Sequence, residues 1–295
     1  LTLKQDGTVK MMIGATEIGQ GSDTAFRQMV SESTGIPYDH VYADQNTDTD
    51  YSPFDTGAYA SRQSYVSGMA VRKASEELKD KILKAVQKFH NIDPLHVDVV
   101  DGNIVYKHNN KIIESLGDLA LKTYYDLKKA ECITAEVSNN FQNTSSAYGA
   151  TFVEVELDIK TGQLEILSVL NSHDSGKIIN PLLATGQVEG GMGMGIAYGM
   201  AEELRYDEKT GKPLNNNLLD YKMPTSMDLP DLDVLFIESD DPFGPYGNKA
   251  LGEPPICSPA AAIRNAVFDA IGIEFNELPI KPQKIIEKLK NKGII

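Results

Sequence analysis

Cysteine is nearly missing: Cys132 and Cys257 are the only two in 295 residues and stand 125 positions apart. Two thiols cannot build a disulfide framework, nor a four-cysteine zinc or iron–sulfur site within this chain. A reducing cytoplasm is the compartment to expect. Histidine is scarce too, and His40, His90, His96, His108 and His173 never fall at metal-ligand spacing. Each reads as a surface or satisfied core residue. Long apolar runs are absent, so no membrane-spanning helix is expected. Positive charge is in deficit: 28 basic against 42 acidic residues leave a net charge of −14. An acidic surface repels phosphate backbones and anionic lipid, which sets nucleic-acid and membrane-surface functions far back. The opening Leu1-Thr2-Leu3-Lys4 has neither an initiator Met nor an apolar signal core. It reads as a strand entered partway, with upstream residues to be expected.

What is present describes a chain that buries a core. Apolar residues make up 41% and charged residues 24%, and the length suggests about two domains. Strand character over Thr8–Ile18 ends in the turn Gly19-Gln20-Gly21. Ser22 then reads as an N-cap, Asp23 suits the first helical turn, and Gly35-Ile36-Pro37 stops the helix. Val41–Ala43 is strand-like and leads into a polar loop that includes Thr47. From Gly57 on, Val66, Met69, Ala70, Ala74, Leu78, Ile82, Ala85, Val86 and Phe89 hold a three/four spacing that predicts the longest helix. A hairpin over 96–106 and a helix near 116–127 follow. Residues 131–147 are polar and read as a linker. Beyond them come a hairpin around Lys160-Thr161-Gly162-Gln163, a glycine-rich helix from Pro181 through Gly199, and a hairpin around Glu208-Lys209-Thr210-Gly211. A strand over Leu232–Ile237 and helices over 259–271 and 282–292 close the chain. The expected fold is α+β: two mixed α/β subdomains, residues 1–135 and 136–295, with strands and hairpins packed on amphipathic helices.

Four small motifs carry chemistry or imitate it. Gly190-Gly191-Met192-Gly193-Met194-Gly195 invites a dinucleotide reading but fails the G-x-G-x-x-G spacing, since the third glycine falls on Ile196 or Tyr198. Close packing of a helix on another backbone is the better explanation, because each mid-helix glycine costs roughly 1 kcal/mol that something must offset. Gly19-Gln20-Gly21-Ser22 and Gly57–Gln63 each precede a helix, where exposed amides suit an anion such as phosphate; each also has a purely structural explanation. In Lys249-Ala250-Leu251-Gly252-Glu253-Pro254-Pro255 the carboxylate precedes proline, which favours an extended backbone and a fixed direction for the side chain. A solvated loop glutamate is the alternative.

Taken in order, several runs resemble the C-terminal half of the molybdenum-binding subunit of the xanthine dehydrogenase/aldehyde oxidase family. They are Glu17-Ile18-Gly19-Gln20-Gly21, Gly57-Ala58-Tyr59-Ala60-Ser61-Arg62, Asn180-Pro181, Gly186-Gln187-Val188-Glu189-Gly190-Gly191, Asp220-Tyr221-Lys222-Met223-Pro224 and Gly247-Asn248-Lys249-Ala250-Leu251-Gly252-Glu253-Pro254-Pro255. The resemblance implies a molybdenum–molybdopterin cofactor, in its cytosine dinucleotide form, whose metal is held by the pterin dithiolene and by no protein ligand. It further implies that Gln20, Gly21, Gly57, Ala58, Tyr59, Ala60, Ser61, Arg62 and Gln63 contact the pterin. Gln187 would hydrogen-bond an oxo group of the metal and Glu253 would be the catalytic base. The implied reaction is hydroxylation of an electron-poor carbon with water as the oxygen source.

Subunits of that family are usually more than twice this length. The chain therefore resembles one member of a split complex, most similar to the medium molybdopterin subunit of bacterial nicotinate dehydrogenase, which converts nicotinate to 6-hydroxynicotinate. The implied partners are a larger molybdopterin subunit sharing the cofactor, a 2Fe-2S subunit and an FAD subunit. A purine or aldehyde hydroxylase of the same family and a non-catalytic structural subunit are the alternatives.

Overall fold

In a computed structural model, which describes residues 1–44, 48–140 and 143–295, the chain divides into two units. The first comprises Leu1–Ser145 and Asp240–Lys249, the second Ser146–Ser239 and Ala250–Ile295. The division falls ten residues beyond the expected 135/136 boundary, and the return of residues 240–249 to the first unit has no compositional signal. The fold is α+β. Thr47 of the polar loop, and Phe141 and Gln142 of the expected linker, lie outside the described residues.

In the first unit β1 (Thr2–Leu3) pairs antiparallel with β2 (Val9–Met11). A crossover through α1 (Ser22–Thr34) brings β3 (Val41–Ala43) parallel to β2. The strand expected over Thr8–Ile18 is confined to Val9–Met11, because the chain from Met12 leaves the ladder to form the turns before α1. Gly35 ends α1 at a φ of +81°, and a Cβ there would lie 1.9 Å from the Val99 carbonyl oxygen. Only glycine fits both demands. The long helix α2 (Gly68–His90) buries Ala74, Leu78, Ile82, Ala85 and Val86 of the face its spacing predicts, and Val71 besides, while Met69, Ala70 and Phe89 are half-buried. A second sheet of β4 (Val97–Val100), β5 (Asn103–Tyr106) and β6 (Ile112–Ser115) leads into α3 (Leu116–Tyr125), capped by the Ser115 hydroxyl on the Asp118 amide at 3.0 Å. The start of the expected linker is instead structural. Ile133 and Ala135 are buried, and backbone bonds join Leu3 to Ile133 and Ala135 to Leu1.

The second unit repeats the first connectivity at larger scale. β7 (Tyr148–Leu157) and β8 (Leu164–Asp174) are antiparallel, and α4 (Pro181–Met200) crosses over to β9 (Asp231–Phe236), parallel to β8. α5 (Pro259–Ile271) and α6 (Pro282–Asn291) complete it. Val169, Val188, Met192, Ile196, Ile263, Val267, Ile285 and Leu289 form its core, each side chain stabilising the fold by about 1.5–3 kcal/mol on burial. The hairpin expected around Glu208–Gly211 reduces to one bridge, Tyr206 with Pro213. Among the described residues no helix is long and apolar enough to cross a membrane.

Candidate functional site

The amides ahead of α1 are already engaged. One carboxylate oxygen of Glu17 accepts from the Gly19 and Gly21 amides at 2.8 and 2.9 Å; the other accepts from the Asp23 amide at 3.0 Å and the Ser22 hydroxyl at 3.2 Å. The cap residue is Gly21, at a φ of +85°, and Ser22 makes no side-chain cap. Two expectations are thereby corrected. Ser22 is not the N-cap, and the anion seated at this helix N-terminus is the protein's own carboxylate. Burial pushes the Glu17 carboxyl up, but the amides of Asp23, Gly21 and Gly19 and the Ser22 hydroxyl outweigh it and hold the group below its ordinary value. Asp23 beside it is pushed up, by burial first and by the Glu17 charge second.

Gln20 sits within this turn. Its amide nitrogen donates to the Thr16 carbonyl and the Ser22 hydroxyl, each at 3.1 Å, and to the Gln63 side-chain oxygen; its own oxygen accepts from the Ile18 amide at 2.7 Å. Gln63 in turn donates to the Thr16 carbonyl at 3.0 Å. Gln20 and Gln63, 43 residues apart, thus share one carbonyl and bond each other. Gly14 lets the 53–55 segment approach closely, since a Cβ there would strike the Pro53 carbonyl oxygen at 2.1 Å.

The Gly57–Gln63 segment is a strained turn, not the first turn of a helix. Gly57 has a φ of +128°, and Ala60 and Ser61 both have a φ of +53°, a region that L side chains adopt at a cost. Ala58 and Ser61 are half-buried, while Tyr59 and Ala60 are exposed. Helical structure begins only at Gln63, with a wide π-type turn over Gln63–Ser67 in which the Gly68 amide reaches back to the Gln63 carbonyl. Asp55 holds the turn shut. It pairs with Arg62 at 2.8 Å, accepts from the Gly57 amide at 2.8 Å, and accepts from the Ser67 hydroxyl at 3.1 Å. The sequence assigns no site role to Asp55 or Thr16, and Glu17 enters there only as part of a matching run. The signals were a carboxylate two residues before Gly57 and another two before Gly19.

In the second unit Asn180 caps α4, its side-chain oxygen accepting from the Leu183 amide at 3.1 Å, and Pro181 takes the first helical position. Gln187 lies half-buried near the start of this helix. One turn further on the glycines explain themselves. A Cβ on Gly191 would stand 2.7 Å from Pro255 Cβ, one on Gly195 would stand 2.8 Å from Pro259 Cγ, and one on Gly199 would stand 3.2 Å from Ala260 Cα. The stripe Gly191-Gly195-Gly199 seats the segment following Glu253 directly on the helix, as the packing reading expects.

Glu253 is exposed, at the head of a 3₁₀ turn over Pro254–Ile256 whose Pro255 is buried. Its backbone is helical, φ −94° and ψ −30°, and not extended as the following proline suggests. The Glu253 carbonyl accepts from the Ile256 amide at 3.2 Å, a bond that requires the helical ψ and overrides the local bias. Behind the turn, on the inward face of β8, Asn171 donates to the Thr151 hydroxyl at 2.9 Å, which shares a 2.6 Å hydrogen bond with Ser258. His173 departs from the expectation of a surface or satisfied residue. It is 1% exposed, and neither ring nitrogen meets a protein partner.

This fold is shared with quinoline 2-oxidoreductase from Pseudomonas putida 86, at a TM-score of 0.90 and 23% identity, over 98% of this chain and 37% of that one. It is likewise shared with a Cu,Mo-CO dehydrogenase, at a TM-score of 0.86 and 24% identity, over 99% and 37% of the two chains. A family profile described as a molybdopterin cofactor-binding domain matches residues 1–230, and the chain belongs to that family. It is 46% identical to the xanthine dehydrogenase molybdenum-binding subunit of Escherichia coli O157:H7 over all of its length and 39% of that relative. It is 29% identical to the nicotine 6-hydroxylase large subunit of Paenarthrobacter nicotinovorans, over 100% of the chain and 37% of the relative. The chain thus spans about two fifths of the length of these curated relatives.

The donor set suits such a cofactor. Among the described residues no three His, Cys, Asp or Glu side chains are grouped to hold a metal. The carboxamides of Gln20 and Gln63 and the Gly57–Arg62 turn lie together in the first unit, hydrogen-bonding groups of the kind a pterin edge takes.

Proposed function

We propose that this chain is the molybdopterin-holding part of a molybdenum hydroxylase acting on an electron-poor carbon of an N-heterocycle, with water as the oxygen source. The observation that carries the reading is the placement of Glu253: an exposed carboxylate on a turn wedged, through Pro255, against the Gly191 stripe of the helix bearing Gln187. A base so held keeps its direction without needing a rigid side chain. Gln20, Gly21, Gly57, Ala58, Tyr59, Ala60, Ser61, Arg62 and Gln63 would hold the cofactor, and Gln187 would donate to its oxo group. When bound, that group supplies a two-electron redox centre. Glu253 accepts, on a carboxylate oxygen, the proton released as the water-derived oxygen attacks substrate.

The remaining machinery is assigned to partners in the cytoplasm: a larger molybdopterin subunit sharing the cofactor in its cytosine dinucleotide form, a 2Fe-2S subunit and an FAD subunit. Supporting this, α4 leaves Leu182 82% exposed, with Met194 and Tyr198 also exposed, apolar surface that a partner would cover. For substrate, the 46% identity to a xanthine dehydrogenase subunit favours a purine over nicotinate; the relative named for nicotine 6-hydroxylation keeps the pyridine reading as the second. Steady-state assays of the purified complex with xanthine, hypoxanthine and nicotinate and a dye acceptor separate the two. Glu253→Gln tests the mechanism: cofactor content should persist while reduction by substrate slows about 10²–10⁴-fold. Reduction within about threefold of wild type at full molybdenum occupancy removes Glu253 as the base.

A further inference from the structure

The end of β8 and the residue after it carry an inward row that is polar where a core strand is normally apolar: Asn171, His173 and Ser175, each 1% exposed or less. The two outer members tether both ends of the Glu253 loop. Ser175 donates its hydroxyl to the Ala250 carbonyl at 3.1 Å, and Asn171 reaches Ser258 through Thr151. Four residues of strand separate these tethers, about 13 Å, and His173 occupies the inward position between them. Its cross-strand neighbour is Gly149, where a Cβ would lie 2.8 Å from Nδ1. The glycine keeps that edge of the ring clear.

Three atoms on this row lack a protein partner: Asn171 Oδ1, His173 Nδ1 and His173 Nε2. Burial holds the imidazole pKa below its ordinary value despite the nearby Asp174 carboxylate, so near neutral pH the ring offers one donor and one acceptor. Buried polar groups without partners cost about 1–3 kcal/mol each, and native proteins satisfy them with ordered water. We propose that Asn171 and His173 bind ordered water beneath the Ala250–Ser258 loop, and that His173, through this water, is a positioning residue for the turn that presents Glu253. A water donating to Asn171 Oδ1 and bonded to a ring nitrogen has its remaining valences free for the loop backbone.

The importance of the loop to catalysis rests on the reading of Glu253 above; the water site does not. Two measurements on the purified complex test it. A high-resolution crystal structure should show water within about 3.2 Å of Asn171 Oδ1 and of a His173 nitrogen. A dry site, or protein groups filling it, overturns the proposal whether or not any variant folds. Hydrogen exchange then reads the loop through the Ile256 and Cys257 amides, which donate to the Glu253 and Pro254 carbonyls. His173→Phe should accelerate their exchange about tenfold or more, while His173→Gln, which keeps a donor and an acceptor, should stay within about threefold of wild type. Exchange unchanged in His173→Phe, or equally fast in both variants, overturns the positioning role. Faster exchange in His173→Phe with undiminished turnover leaves the water site standing and overturns its importance for catalysis, whereas Glu253→Gln alone decides the base.

Discussion

Gly191→Ala adds one methyl group between α4 and the turn after Glu253, and the structure fixes what that methyl meets. The new Cβ would lie 2.7 Å from Pro255 Cβ and 3.3 Å from the Ile256 amide nitrogen. Carbon atoms in contact prefer about 3.5–4.0 Å, so roughly 1 Å of movement is demanded. Pro255 is buried and its ring cannot rotate aside, so the helix or the turn must shift as a body. Overpacking of this kind costs about 1–3 kcal/mol. Against it stands the helix propensity of alanine over glycine, worth about 1 kcal/mol.

Gly190→Ala separates the two effects. A Cβ there meets nothing within 4 Å, so it takes the same propensity gain with no packing loss. The difference between the two variants is the packing cost alone, about 1–3 kcal/mol, with Gly190→Ala the more stable. Because two units need not unfold together, the assay is urea-dependent hydrogen exchange of α4 and β8 amides. Equal stability of the two variants within about 0.5 kcal/mol would refute the close-packing account of the glycine stripe.

The remaining predictions concern the first unit. The Glu17 carboxyl is held below its unfolded value, so it stabilises the fold above about pH 4.5 and loses that contribution as pH falls through the folded value. Glu17→Gln should therefore flatten the acid limb of the pH–stability curve in that range; an unchanged limb contradicts the cap. Asp55→Asn removes the charge that pairs Arg62 and should lower molybdenum and pterin content of the purified protein without unfolding it. Full cofactor content in Asp55→Asn would detach the Gly57–Gln63 turn from cofactor binding.

Periodic features were legible in the sequence. The apolar spacing along α2, the hairpin turn at Lys160–Gln163 and the span of α5 all rest on local rules, and local rules sufficed. Glycine spacing in α4 pointed to close packing, though not to its partner. Features set by tertiary bonds, or by one local bond against a residue bias, were not legible. The helical ψ of Glu253 comes from a turn that overrides the bias before proline, and the π-type turn at Gln63 sits where Asp55, Gln20 and Thr16 all pull on one segment. Orphan nitrogens on His173 follow from strand alternation plus a glycine opposite, neither of which marks a histidine as unsatisfied.

The two units share a hairpin, a crossover helix and a parallel third strand, yet no sequence repeat aligns. The lengths explain why. β2 has three residues and β8 eleven, and α1 has thirteen against twenty in α4. Topology still places the candidate glutamines alike, because a parallel crossover delivers the chain from the end of one strand into a helix. Gln20 lies just before α1 and Gln187 in the second turn of α4. The two helix starts differ in one decisive respect. α4 is capped by the neutral Asn180, whereas α1 is capped by the Glu17 carboxylate on three backbone amides. A phosphate at α1 would have to displace that carboxylate or suffer its repulsion at contact distance. On the proposed reading Gln20 would therefore meet the cofactor through its carboxamide, while Arg62 of the Gly57–Gln63 turn already pairs with Asp55 at 2.8 Å.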